Sequence, residues 1–150
     1  MTAPDVQEYV VEPELAALGA TLPLLCDFVV ATDDTTILDP HVNVGLVAGD
    51  GGAILWPMLM GLNRGKEFLL TGDRMDADEA LRLGLVNHVY PRDELHDAAA
   101  ALAARLAAGP QVALQFNKRL ANAELVDRVN RVLPDGMTLR RLLERGRVPA

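Results

Sequence analysis

Apolar and polar positions change rhythm about two-thirds of the way along the chain. Early on, short apolar runs alternate with polar turns; later, apolar residues recur at helical spacing. Leu15–Leu25 is apolar enough for one short helix, with Pro23 set against its continuation. Phe28-Val29-Val30-Ala31 predicts a buried strand closed by the polar turn Thr32-Asp33-Asp34-Thr35. Thr36–Leu38 predicts a second short strand, ended by Asp39-Pro40. A glycine-rich loop, Gly45–Gly52, then runs into the apolar segment Ala53–Met60, which predicts a helix.

From Leu62 the pattern is mainly helical. Asp76-Ala-Asp-Glu79 is a capping-box variant, with Asp76 placed to accept a first-turn amide and Glu79 to reach back. Its helix stops at Gly84, and Leu85–Tyr90 predicts another strand. Pro91 opens a long amphipathic helix carrying Leu95, Ala98, Ala99, Leu102 and Leu106. Gly109-Pro110 breaks it and Val112–Asn122 starts the next. The remaining amphipathic stretch is expected to split at Pro134-Asp135-Gly136. The fold class predicted is α/β followed by a helical C-terminal region, divided as 1–90 and 91–150.

Composition narrows the class. The chain has 150 residues, half of them hydrophobic and 23% charged, which fits a globular domain rather than a disordered one. One cysteine excludes an internal disulfide, so a reducing, cytoplasmic setting is expected. The longest uncharged run, Gly51–Asn63, is too short to span a membrane, and the acidic start lacks a signal-peptide layout. A net charge of −7 argues against nucleic acid as a partner. That charge is uneven: residues 1–117 carry −11 and residues 118–150 carry +4.

The glycine loop fails both phosphate motifs. No Lys-Ser or Lys-Thr follows it, and Ile54 stands where a dinucleotide fingerprint needs its third glycine. Asp50 would also repel phosphate. What remains is a carboxylate beside a helix start, nine residues after His41. A histidine with a carboxylate is the minimal pair for general-base work. Spacing alone leaves a second reading open, a satisfied loop histidine with Asp50 as a helix cap.

Other candidates carry less. The three histidines, His41, His88 and His96, lack metal-ligand spacing, so no metal is expected. Serine is absent, which excludes a Ser-His-Asp hydrolase. Cys26 reads as a buried structural thiol, and Trp56, Met58 and Met60 as core.

Taken in order, Leu24–Ala31 (LLCDFVVA), Asp39–Gly52 (DPHVNVGLVAGDGG), Leu69–Asp73 (LLTGD), Asp76–Ala80 (DADEA) and Gly84–Asn87 (GLVN) resemble the enoyl-CoA hydratase/isomerase (crotonase) family. The resemblance runs from about Val11 to Asn122 and corresponds to the C-terminal half to two-thirds of a family member. It implies an N-terminally truncated β-β-α spiral, followed by helices that pack in a homotrimer or hexamer. It also implies an acyl-CoA thioester whose carbonyl lies between two backbone amides, with coenzyme A as part of the substrate and no separate cofactor. One amide belongs to a segment upstream of these residues. The other falls on Leu18, in Ala17-Leu18-Gly19.

The family's two hydration glutamates fall on Thr21 and His41, so hydration by paired carboxylates is not expected. The Pro-His and Gly-Asp-Gly elements followed by Trp-Pro are similar to a branch that includes oxo-camphor hydrolase. That similarity favours His41 with Asp50 as the acid/base pair. It also implies an alternative activity, C–C bond hydrolysis of a β-diketone, so the substrate expected is an acyl-CoA or a small carbonyl compound. Gly19, Gly49, Trp56 and Lys118 are the candidate substrate contacts; Lys118 or Arg119 would meet CoA phosphates, unless they form only a solvated helix face. A third alternative is a truncated, inactive family member.

Overall fold

The computed structural model describes residues 8–11 and 14–145, with side chains described from Glu14 onward. The extreme N-terminal reading therefore lies outside the described residues. Two three-stranded sheets share the first part of the chain. The first holds β1 (Glu8–Val11), β3 (Phe28–Thr32) and β6 (His88–Tyr90), all parallel, with β3 central. The second holds β2 (Glu14–Ala16), β4 (Thr36–Leu38) and β5 (Arg74–Asp76). There β4 pairs parallel with β2 and antiparallel with β5. Successive strands β1/β2 and β3/β4 thus step from one sheet to the other, as a spiral of β-β-α turns requires.

Burial explains the strands. Central β3 is apolar on both faces, and Val29, Val30 and Ala31 are buried, as expected of a parallel strand covered on each side. Short β2 instead alternates, with Leu15 alone pointing inward. That alternation corrects the expected helix over Leu15–Leu25. Ala17 takes φ 51°, a conformation that costs a residue with a Cβ on the order of 1 kcal/mol. The helix is left with one turn, α1 (Leu18–Thr21), and Pro23–Leu25 follows as a 3-10 turn.

Helix α2 (Gly52–Met60) is buried through Ile54, Leu55, Trp56 and Met60, and α3 (Leu62–Thr71) crosses it at Gly65. A Cβ on Gly65 would stand 2.5 Å from the Pro57 nitrogen, so glycine is what allows the close crossing. Trp56 and Phe68 meet edge-on, with centroids 4.9 Å apart, at the centre of the core. Helix α4 (Ala77–Arg82) begins as expected, Asp76 Oδ1 accepting from the Glu79 amide at 2.8 Å. The Glu79 side chain does not reach back; it pairs with Arg82 at 2.5 Å.

Four elements differ from the sequence expectation. Strand β5 was unforeseen because only Met75 of its three residues is buried. Strand β6 spans only His88–Tyr90; before it, Asn87 exchanges two 2.7 Å bonds with Val29, one through its side chain. Pro91 leads into a turn, its carbonyl accepting from Glu94, and α5 begins at Leu95 and ends at Ala107. After α6 (Gln111–Ala121), α7 runs unbroken from Ala123 to Glu144, against the split expected at Pro134. A proline inside a helix costs about 3 kcal/mol, but docking of the following turn onto the glycine loop, described below, offsets part of that loss. Among the described residues, no helix is long and apolar enough to cross a membrane.

Candidate active site

Strand β4 ends at Leu38, and the next residues build the site. Pro40 turns the chain so that His41 starts a 3-10 turn, Val42–Val44, which Gly45 closes at φ 72°. The His41 carbonyl accepts from the Val44 and Leu46 amides, which fixes the backbone from which the ring projects. His41 is buried, and its Nδ1 lies 2.5 Å from Asp39 Oδ1. The other oxygen of Asp39 accepts from the Trp56 indole N–H at 2.7 Å. Asp39 is only 1% exposed, so these two bonds satisfy a carboxylate that would otherwise be costly to bury. Gly52 makes room for it: a Cβ there would stand 2.5 Å from Asp39 Oδ2 and 2.9 Å from Trp56 Nε1.

Opposite Asp39, the glycine loop brings Asp50 to the ring. Asp50 Oδ2 lies 3.3 Å from His41 Nε2. Asp50 does not cap α2; Gly51 is its N-cap residue, at φ 125°. Arg140, on α7, donates from Nη1 to Asp50 Oδ2 at 3.0 Å and lies 3.3 Å from His41 Nε2. Glu144 first, and then Asp50, push the Arg140 guanidinium above its ordinary value, so it stays charged. The second oxygen of Asp50 is buried with no donor among the described residues, an acceptor left for a bound group.

Chemically, the ring is held by one nitrogen and free to act by the other. With Nδ1–H donated to Asp39, the tautomer presents the Nε2 lone pair toward Asp50 and Arg140. A neutral ring can accept the Arg140 N–H; a protonated ring can donate to Asp50. The site therefore offers a partner for each protonation state, which general acid/base work requires. An apolar cavity of about 430 Å³ adjoins the ring, lined among others by Val42, Leu46, Val47, Leu69 and Leu143. Among the described residues, no group of His, Cys, Asp and Glu converges as a metal cage.

The other candidates fall in different places. Leu18 opens α1, and its amide has no backbone acceptor among the described residues. Gly19 borders open space, since a Cβ there would meet nothing within 4 Å. Thr21, the other position that the resemblance sets among the catalytic candidates, is 1% exposed, and its hydroxyl donates to the Leu18 carbonyl at 3.2 Å. Trp56 is fully buried and serves as the anchor of Asp39 rather than a substrate contact. Gly49 is likewise covered: a Cβ there would stand 2.6 Å from the Gly136 carbonyl carbon, so glycine allows α7 to dock. Lys118 forms an ion pair with Asp27 at 2.7 Å. Cys26, expected to be buried, is only half-buried; partial burial, then the Asp27 carboxylate, push its thiol up.

Two residues of the cluster escaped the sequence reading. Asp39 was taken only as the end of a strand, although a carboxylate two residues before a histidine is a usable signal. Arg140 stands 99 residues from His41, and only the +4 charge of the C-terminal stretch hinted at it.

Comparison with known proteins agrees with this architecture. The enoyl-CoA hydratase/isomerase family model matches residues 11–141. A crotonyl-CoA hydratase from Syntrophomonas wolfei is 34% identical over 115 residues, which are 77% of this chain and 44% of that protein. An enoyl-CoA hydratase/isomerase structure from Mycobacterium paratuberculosis superposes with a TM-score of 0.84 at 37% identity, covering 89% of this chain and 54% of that one. A β-diketone hydrolase from the cyanobacterium Anabaena, bound to (S)-3-oxocyclohexyl acetic acid, gives 0.78 at 34% identity, covering 84% and 51%. The chain spans less than half the length of that crotonyl-CoA hydratase. With its spiral of strands and long helical C-terminal region, the chain belongs to the enoyl-CoA hydratase/isomerase (crotonase) family.

Proposed function

We propose that this chain moves a proton beside the carbonyl of an acyl-CoA thioester, with His41 as the group that takes and returns it. The observation that carries this reading is the buried ring fixed by Asp39 on Nδ1, with a donor and an acceptor both 3.3 Å from Nε2. Loss of a proton next to the carbonyl leaves an enolate, whose oxygen the Leu18 amide would help to stabilise. The apolar cavity beside His41 suits the acyl part, and Asp50 Oδ1 is placed to accept from a water or hydroxyl group. Association into a trimer or hexamer is supported by the exposed stripe Val112, Phe116 and Leu120 on α6.

The test is incorporation of solvent deuterium next to the carbonyl of a saturated acyl-CoA, butyryl-CoA, by the purified chain. Activity lost in His41→Ala supports the reading; activity unchanged in that variant overturns it.

A second reading, C–C hydrolysis of a β-diketone, is favoured by two observations. A β-diketone hydrolase is among the similar structures, at 34% identity, and Lys118 is engaged by Asp27. His41 would take a proton from water as its oxygen attacks one ketone. The bond from that carbon to the carbon between the carbonyls would break, its electron pair forming the enolate of the second ketone. The enolate would then take the proton back from His41. Hydrolysis of a cyclic 1,3-diketone, with no deuterium exchange into butyryl-CoA, would replace the first reading with this one.

A further inference from the structure

Three residues on one face of α7 cover the site. Gly136 meets the glycine loop, Arg140 reaches Asp50 and His41, and Leu143 walls the adjoining cavity. Their spacing, four and then three residues, is that of a single helical face. Among the described residues, the charged groups facing the His41 ring are Asp39 after β4, Asp50 from the glycine loop, and Arg140 from α7. Glu144 adjoins the outer side of Arg140 at 3.1 Å. The nearby faces of α2 and α3 contribute Trp56 and Leu69, neither of them titratable.

We infer that Arg140 is a positioning residue that keeps His41 available as a base by cancelling the charge of Asp50 and giving the Nε2 lone pair an N–H partner. The inference rests on the reading of His41 as the proton-carrying group. Two carboxylates with no cation between them would hold the ring as an imidazolium, which has no lone pair to accept a proton. Asp39 cannot be the member that is neutralised, because its second oxygen is bound by the Trp56 indole inside the core. Asp50 is the carboxylate within reach of a cation, and Arg140 supplies it at 3.0 Å. The same bond steers Asp50 Oδ2 toward Nε2 and leaves Oδ1 open.

The experiment compares the intact chain with Arg140→Met and Arg140→Lys. Ring-labelled histidine NMR follows the His41 titration without substrate, and kcat/KM is measured against pH. Removing a cation favours the protonated ring. In Arg140→Met the His41 midpoint and the low-pH limb of kcat/KM should therefore both move to higher pH. Arg140→Lys, which keeps the cation, should show little of the shift, a rescue that mere loss of packing would not give. Should Arg140→Met lose its circular dichroism, Arg140→Gln takes its place.

A His41 titration that is the same with and without the Arg140 cation overturns the inference, even if the chain turns over its substrate normally. A shifted titration in a chain inert toward every carbonyl substrate supports the role of Arg140 while removing the reading of the reaction.

Discussion

The two ring nitrogens of His41 are served by regions built in different ways. On the Nδ1 side, Asp39 is 1% exposed, two residues away, and tied to a tryptophan within the core. On the Nε2 side, Asp50 comes from a glycine loop, and Arg140 from a helix with no fully buried residue. The first side is set by the same packing that stabilises the domain. The second depends on α7 being docked, through the close approach of Gly49 and Gly136, the Arg140–Asp50 ion pair, and Leu125 packed against the core. The orienting half of the site is thus built into the core, and the half that meets the reacting proton lies against a helix packed on the surface of that core.

Substitutions on each side should break that contrast in different ways. Trp56→Ala should have the largest effect, since it empties the centre of the core and strips Asp39 of its buried donor. A loss of about 3–5 kcal/mol in unfolding free energy is expected, measured by denaturant titration. Asp39→Asn should spare most of that stability while frustrating the tautomer of His41. The rate should fall by about 10²–10⁴-fold, with circular dichroism unchanged.

Gly49→Ala acts on the other side. A Cβ there would force α7 away, since the Gly136 carbonyl carbon would stand 2.6 Å from it. Faster tryptic cleavage at Arg140 and Arg141 is expected, with a rate loss of about tenfold, while the main unfolding transition persists.

The smallest effect belongs to a site outside both regions. A hydrogen bond from Thr32, then one from Arg92, hold the exposed Asp34 carboxyl below its ordinary value. A lowered folded value stabilises the folded state above the ordinary carboxyl range, and that contribution disappears as pH falls through the lowered value. Asp34→Asn should therefore depress the melting temperature slightly at pH 7, and the difference should vanish in strong acid.

The same contrast explains what the sequence disclosed. Buried strand β3 and helix α2 announced themselves, because continuous apolar runs leave few alternatives. Strand β5 was silent, since Met75 is its only buried residue and charge flanks it. The Leu15–Leu25 run misled because apolar content outweighed the positive φ at Ala17, which composition does not reveal. Proline at 134 looked like a helix end, yet the cause of its tolerance lies at Gly49, far away in sequence. Within the site, His41 and Asp50 were legible as a pair of chemically suited residues on one loop. Asp39 was legible in principle, by its two-residue spacing. Arg140 was not, because its role depends on a tertiary contact that no local pattern encodes.

The central claim is that His41, oriented by Asp39, carries the proton. Solvent-deuterium incorporation beside the thioester carbonyl of butyryl-CoA, compared between the unaltered chain and His41→Gln, tests it most directly. Exchange by the unaltered chain and a loss of at least about 10²-fold in His41→Gln are expected, with circular dichroism showing that the variant is folded. Exchange that survives in His41→Gln at the original rate would contradict it.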